Sequence, residues 1–529
     1  MLGSFMLQQG IAQTATLQTD IYTDYLRNRQ LAADSSPVME SFCVRPLQLQ
    51  NSIENLAATH KSSYYFSLMP VTLITRDNAH HPTGSNEGAL IPAKGPQAFF
   101  SAGFFAKIGM FTLQVQPEIV YAQNQQFETF ALDNSPFYWN VYYKLLNNID
   151  NPEQFGTGTY KKFLPGQSSF YFHPKNLAIG VSTENIWWGP GIQNSLVMSN
   201  NAPGFAHADI HTTAPLKTPL GHFEFQLLGG QLQNSNIAPP DTNFVYNSNF
   251  LYQRKDSSNR YITGIVVSWQ PKWIKGLFLG FSQASYLYQK DISGIADILP
   301  LQGLVTSTAE SKQKKATLGS VFLRYVLPED HAEFYAEYGR NDRSADIINL
   351  ITDKNYPRGY VVGMRKLANL RASKSRMEFT AELAELELPT IALIDSNKSW
   401  YTNNYVRQGY TNEGKVIGAG IGPGSNSQMM DISWLKGFTK IGVQFQRVVH
   451  NNDLYYNLFT YSKDWTRHWI DISTNIHARI KYKQLYLQAQ LEITRSLNYE
   501  YYVLPGSAYL EHGYDFLNIH GGISCTYRF

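Results

Sequence analysis

The stretch DISTNIHARIKYKQLYLQAQLEIT, residues 471–494, alternates in character on both sides of one tight turn. Ile472, Thr474, Ile476, Ala478, Ile480 and Tyr482 fall on one face, and Asp471, Ser473, Asn475, His477, Arg479 and Lys481 on the other. After the turn, Leu485, Leu487, Ala489, Leu491 and Ile493 alternate with Tyr486, Gln488, Gln490, Glu492 and Thr494. A period of two puts successive side chains on opposite faces of a strand, so this stretch predicts a hairpin with one apolar and one strongly polar face. The pattern recurs at Leu113, Val115, Pro117, Ile119 and Tyr121, whose alternates are Thr112, Gln114, Gln116 and Glu118. It recurs again at Phe334, Ala336 and Tyr338 against Glu333, Tyr335 and Glu337, and at Phe379, Ala381 and Leu383 against Glu378, Thr380 and Glu382. From about Tyr64 onward this period dominates.

A soluble sandwich or propeller would turn the apolar faces inward. A transmembrane barrel turns them toward lipid and lines its lumen with the polar ones. Three features favour the barrel. The strands are long enough to cross a bilayer at a tilt. Aromatics cluster near strand ends, at Tyr64 to Phe66, at Trp187 and Trp188, and at Tyr499 to Tyr502, as interfacial girdles would. The final strand, Ile523, Cys525, Tyr527 and Phe529, resembles the closing signal of Gram-negative outer-membrane barrels, the signal their assembly machinery reads. Composition agrees. Only 16% of the 529 residues are charged, 14% are aromatic, and the mean hydropathy is −0.30. No run approaches the ~18 apolar residues of a membrane-spanning helix, so any crossing is made by strands. The net charge of +3 gives no footprint of a nucleic-acid partner.

The first 60 residues read differently. Leu17, Ile21 and Tyr25 recur at helical spacing, Pro37 and Pro46 break the run, and Ile53 and Leu56 suggest a further turn. We expect residues 1–60 to be a small helical piece, with a remnant of an export signal at its start, and residues 61–529 to be the barrel. Cys43 and Cys525 form no metal motif; a disulfide between them is one reading, and two unpaired, buried thiols are the preferred one.

The most distinctive stretch is STENIWWGPGIQNSLVMSNNAPGF, residues 182–205. Pro190 lacks a ladder donor and its flanking glycines favour a turn, so this is no plain strand. A structural corner with tryptophan anchors is the simpler reading. The alternative is a carbohydrate platform, with Trp187 and Trp188 stacking on sugar rings and Asn200 and Asn201 offering donors and acceptors. WWGPG, SLVMSNNAP, the PLKTPLGHFEFQLLGG stretch at 215–230, SFCVRPL at 41–47, the block at 94–124 and GYTNEGKVIGAGIGPGSNSQ at 409–428 together resemble the capsule assembly Wzi family of outer-membrane proteins. The resemblance implies an all-β, antiparallel transmembrane outer-membrane barrel of about 18 strands with a small N-terminal α-helical plug. It further implies a lectin that holds capsular polysaccharide on the cell surface. Better-known members look like SNNARP where this chain has Ala202, Pro203 and Gly204, so a sugar contact made by that arginine does not carry over.

Other candidates are weaker. The glycine run at 418, 420, 422 and 424 lacks the strand–turn–helix of a dinucleotide loop. His207, Asp209 and His211 share a strand face, but polar lumen lining explains them better than a metal site, and we expect neither metal nor cofactor. Glu333, Glu337, Glu378 and Glu382 face the expected lumen. Paired carboxylates serve glycosidases, yet acid–arginine ladders that fix a plug are commoner in barrels, so Glu337, Arg340 and Glu382 are expected at the lumen or plug interface. The expected partners are surface polysaccharide, outer-membrane lipid, the barrel assembly machinery through the Phe529 strand, and other outer-membrane proteins. The rival readings are a porin-like channel and an accessory barrel of a larger outer-membrane complex.

Overall fold

The computed structural model describes residues 21–32, 40–46, 64–130, 135–239, 241–300, 314–341, 357–370, 374–388, 399–459, 468–501 and 515–529. Among them the backbone forms one closed antiparallel barrel. Counting strands interrupted by a short break as one, eighteen cross in chain order. The first four are Tyr64–Leu68 with Val71–Asn78, Gly95–Ser101 with Phe104–Ile108, Phe111–Val115 with Glu118–Ala122, and Tyr160–Leu164 with Ser169–Phe172. Leu177–Ser182, His207–Thr212 with Leu216–Thr218, Gly221–Leu232, Arg260–Pro271, Leu277–Tyr288, Ala316–Leu327 and Ala332–Asn341 follow. Arg358–Asn369, Arg376–Glu385, Asn426–Lys436, Thr439–Val449, Ile470–Tyr482, Leu485–Leu497 and Phe516–Tyr527 complete the ring, the last pairing back onto Val71–Asn78.

The wall is inside-out, as the alternation requires. Ile472 and Ile476 are 50% and 53% exposed on the outer surface, whereas Glu333 and Glu378 are fully buried on the inner one. Breaks in the strands follow chemistry. Across Met69 and Pro70 the register slips by one residue, from Leu68 opposite Phe104 to Thr72 opposite Ser101. Such a bulge exchanges the two faces. Tyr64, Phe66 and Leu68 therefore point out with even numbers and Leu73 with an odd one.

The connections alternate in length. Tight turns such as 109–110, 437–438 and 483–484 close one end, and long connections such as 123–159, 183–206, 233–259 and 386–425 emerge at the other. Barrels of this kind put short turns in the periplasm and long loops outside. The aromatic girdle is clear at the short-turn end. Phe223 stacks near Trp269 at 6.1 Å, Phe111 lies parallel to Phe170 at 5.9 Å, and Tyr527 meets Phe529 at 5.3 Å. Trp187 and Trp188 do not belong to it: both are buried inside the barrel, because their backbone pairs with Val44 and Arg45 rather than with the wall. Tyr499 and Tyr501 are likewise buried, under the outer loops.

The main hydrophobic core sits within the ring, which corrects the expectation of a uniformly polar lumen. Ile262, Val266, Leu318, Phe322 and Val361 point inward and pack against Trp188, Leu196, Met198, Trp400 and Tyr401 from the long connections. The strand around Ile262 carries apolar residues on both faces because both are buried, one by lipid and one by the filling chain. The wall from Asn426 to Phe516 keeps the expected polar inner face. The two thiols lie apart: Cys43 is buried within the barrel, and Cys525, half-buried on the last strand, faces the outer side with Ile523 and Tyr527.

Candidate functional site

Residues 183–206 leave the wall at the outer end and turn down into the lumen. Glu382 catches them. Its carboxylate accepts the backbone N–H groups of Ile192 at 2.7 Å, Gln193 at 3.1 Å and Asn194 at 2.8 Å, and the Tyr335 hydroxyl at 2.8 Å. Three successive amides converging on one carboxylate need the tight Gly-Pro-Gly turn just before them. At Gly189, φ is +121°, and a Cβ there would lie 2.9 Å from a Glu337 carboxylate oxygen. Glu337 itself accepts the Ser320 hydroxyl at 2.7 Å and the Leu196 N–H at 3.3 Å. Glu337 and Glu382 thus face the lumen but hold residues 192–196, not the N-terminal helix. Arg340 is buried on the same strand as Glu337.

The tryptophans play unequal parts. Trp188 is fully buried, donates from its indole nitrogen to Gln226 at 2.9 Å, and covers Gly264 so closely that a Cβ there would meet the ring at 2.6 Å. No face of Trp188 is left for a sugar. Gln226 in turn donates to Asp209 at 2.7 Å, which also meets His211 at 2.8 Å, so the His207–Asp209–His211 face is tied into this hydrogen-bond chain. Trp187 lies under the Arg45 guanidinium at 4.8 Å and, with Asn200, lines a cavity of about 430 Å³ against the polar half of the wall. Asn201 is buried. Its side chain donates to the Val416 carbonyl at 2.9 Å and accepts from the Asn86 N–H at 3.2 Å. The glycine run lies in this packing: at Gly420 a Cβ would come within 2.8 Å of the Asn201 side-chain oxygen.

The helix Ile21–Leu31 packs against inward-facing residues near the short-turn end through ion pairs. Arg27 meets Glu333 at 2.7 Å, Asn28 donates to Glu378 at 2.6 Å, and Asp24 meets Arg365 and Arg479 at 2.9 Å each. Burial alone would raise the Asp24 carboxyl, but Lys440, Arg365 and Arg479 outweigh it and hold the group well below the usual carboxylate range. Glu333 also takes Arg324 at 2.6 Å. The remainder of the expected N-terminal piece, including Leu17, Ile53 and Leu56, lies outside the described residues.

The capsule assembly protein Wzi family model matches residues 85–501. The chain belongs to the Wzi family. No curated relative matches. Among solved structures, this Wzi-family chain is similar to the Wzi protein of Escherichia coli, with TM-score 0.61, 11% identity, and coverage of 97% of this chain and 99% of that one. That protein is described as an outer-membrane protein involved in group 1 capsule assembly and a carbohydrate-binding β-barrel. Lesser likenesses include Acinetobacter baumannii OccAB2, at TM-score 0.42 and 10% identity over 87% of this chain and 98% of that one. Pseudomonas aeruginosa OccK7 follows, at 0.39 and 9% over 88% and 98%.

One part of this Wzi-family barrel escaped the sequence reading. The outer loops pack into an aromatic cap built from the helix Pro136–Leu146, residues 244–252 and the helix Asn452–Phe459. Phe130 stacks on Tyr142 at 4.3 Å and meets Trp139 edge-on at 5.0 Å. Tyr138, Tyr142 and Leu145, following Ser135 and Pro136, carried the helical signal that would have revealed it.

Proposed function

We propose that this protein binds surface polysaccharide on the outer face of the outer membrane and attaches or organises it there, without catalysis. The observation that carries the reading is the family match together with a lumen occupied by the protein's own chain, which favours a surface-binding role over transport. Loops rich in Tyr, Asn and Gln supply aromatic surface and hydrogen bonds, and a long polymer engaging several copies gains by avidity. The consumption of Glu337 and Glu382 by backbone N–H and hydroxyl groups supports a binding protein rather than a glycosidase. On this reading residues 1–60 form the plug segment, 61–529 the barrel, and Trp187 and Asn200 contribute to the lumenal cavity. The strand ending in Phe529 serves recognition by the assembly machinery, and the apolar outer belt meets lipid.

Deletion of the gene, followed by measurement of cell-attached against released polysaccharide, tests the role. Polysaccharide shifts to the medium if the proposal holds, and an unchanged ratio refutes it. A large steady current through the purified protein in a planar bilayer would favour the porin reading instead.

A further inference from the structure

At the outer end of the barrel, a second cavity of about 510 Å³ opens beside the top of the strand Leu277–Tyr288. Arg254, Lys255, Lys290, Arg407, Tyr288, Tyr405, Ser257 and Asp256 line it, so four cations face a single carboxylate. That carboxylate is already engaged. Asp256 pairs with Lys290 and accepts the Ser258 N–H at 2.8 Å. Arg407 donates only to carbonyl oxygens, those of Asn147 at 3.1 Å, Arg254 at 3.2 Å and Gln253. Among the described residues, Arg254 and Lys255 have no carboxylate in ion-pair contact. The floor is rigid: Tyr288 is buried and donates to Gln408 at 2.7 Å, and Arg407 pins the backbone beneath Arg254. Tyr405 stands at the rim with 37% of its surface open.

We infer that this outer cavity binds a carboxylate-bearing sugar unit of the polymer, a uronic acid being the simplest case. Its volume suits a saccharide unit, Arg254 and Lys255 supply the carboxylate partners, and the exposed Tyr405 ring, fixed by its hydroxyl's hydrogen bond to Asp291 at 3.1 Å, offers an apolar face. Lys255 behaves as a crowded cation. Burial, then Arg407 and Arg260, push its ammonium down to about 8 against the pull of Asp150. An anion seated here relieves that crowding.

The inference rests on the polysaccharide-binding reading, and the test separates the two. Binding of an oligogalacturonate and of a neutral dextran oligomer of equal length is measured by calorimetry on the full-length protein in detergent, at low and high salt. The oligogalacturonate binds more tightly, loses affinity with salt, and weakens at least tenfold in the double variant Arg254→Gln/Lys255→Gln, whose exposed or half-buried side chains leave the barrel's unfolding temperature unchanged. Equal binding of the two oligomers, or an unaffected double variant, overturns this site while leaving the general proposal standing. Binding of neither oligomer overturns the site as well. Cell-attached polysaccharide that is also insensitive to gene deletion then removes the general proposal with it.

Discussion

Replacing Glu382 with glutamine removes one formal charge without changing side-chain shape, and the structure says what should follow. One oxygen of Glu382 accepts from Ile192 and Tyr335, the other from Asn194. An amide nitrogen cannot accept, so whichever way the glutamine turns, at least one donor loses its partner and the survivors lose their charge assistance. Hydrogen bonds to charged groups contribute about 1.5–3 kcal/mol each, so the anchoring of residues 192–196 weakens by about 3–6 kcal/mol. At tenfold per ~1.4 kcal/mol, local opening becomes more than a hundredfold more frequent. Hydrogen exchange on peptides covering residues 190–198 of the protein in detergent should show this loss of protection. Peptides from Leu485–Leu497, on the polar half of the wall, should exchange as in the wild type. Unchanged protection at 192–196 would falsify the claim that this carboxylate holds the descending segment.

Three further outcomes follow from the same structure. Asp24→Asn leaves Arg365 and Arg479 buried without their shared partner and should loosen the helix Ile21–Leu31 by about 3–5 kcal/mol, read as faster exchange across that helix. Because the wild-type carboxyl sits well below its ordinary range, its contribution is complete above about pH 4 and disappears only in stronger acid, so the difference between wild type and variant should shrink only there. Gly189→Ala forces a side chain into a left-handed conformation against Glu337 and should lower the unfolding temperature in detergent, at a cost of about 1–3 kcal/mol. Asp453 accepts the Leu388 N–H at 2.8 Å in the outer cap, and burial raises its carboxyl to about 7. The folded state therefore holds its proton longer than the unfolded chain, so the cap loses stability as pH rises from about 4 through 7, and Asp453→Asn should flatten that part of the pH profile of exchange across Asn452–Phe459.

The wall was legible in the sequence because alternation is local. Ile472, Ile476 and Leu491 needed only their neighbours in the chain to declare an outer face, and the bulge at Met69 and Pro70 merely exchanged which residues carried it. The hairpin turn after Tyr482 and the onset of strands near Tyr64 were legible for the same reason. The filling of the barrel was not. Trp187 and Trp188 read equally well as girdle, sugar platform or corner, because nothing within ten residues of them distinguishes lipid, solvent and lumen.

Their placement depends on Val44 and Arg45, on Gln226, and on the bare backbone at Gly264, all remote in sequence. Glu337 and Glu382 show the same division. Their inward direction followed from the period of two, but their partners did not, because a buried carboxylate is satisfied by whichever N–H groups the assembled fold brings to it. The sequence by itself determined an inside-out β wall and membership of a barrel family. Only the tertiary structure decided that residues 183–206 and 399–425 build an apolar core inside the barrel. It likewise decided that the cations Arg254, Lys255, Lys290 and Arg407 converge from three separate outer segments. Strand faces are set by neighbours along the chain, whereas hydrogen-bond partners and charge clusters are set by distances across the closed ring.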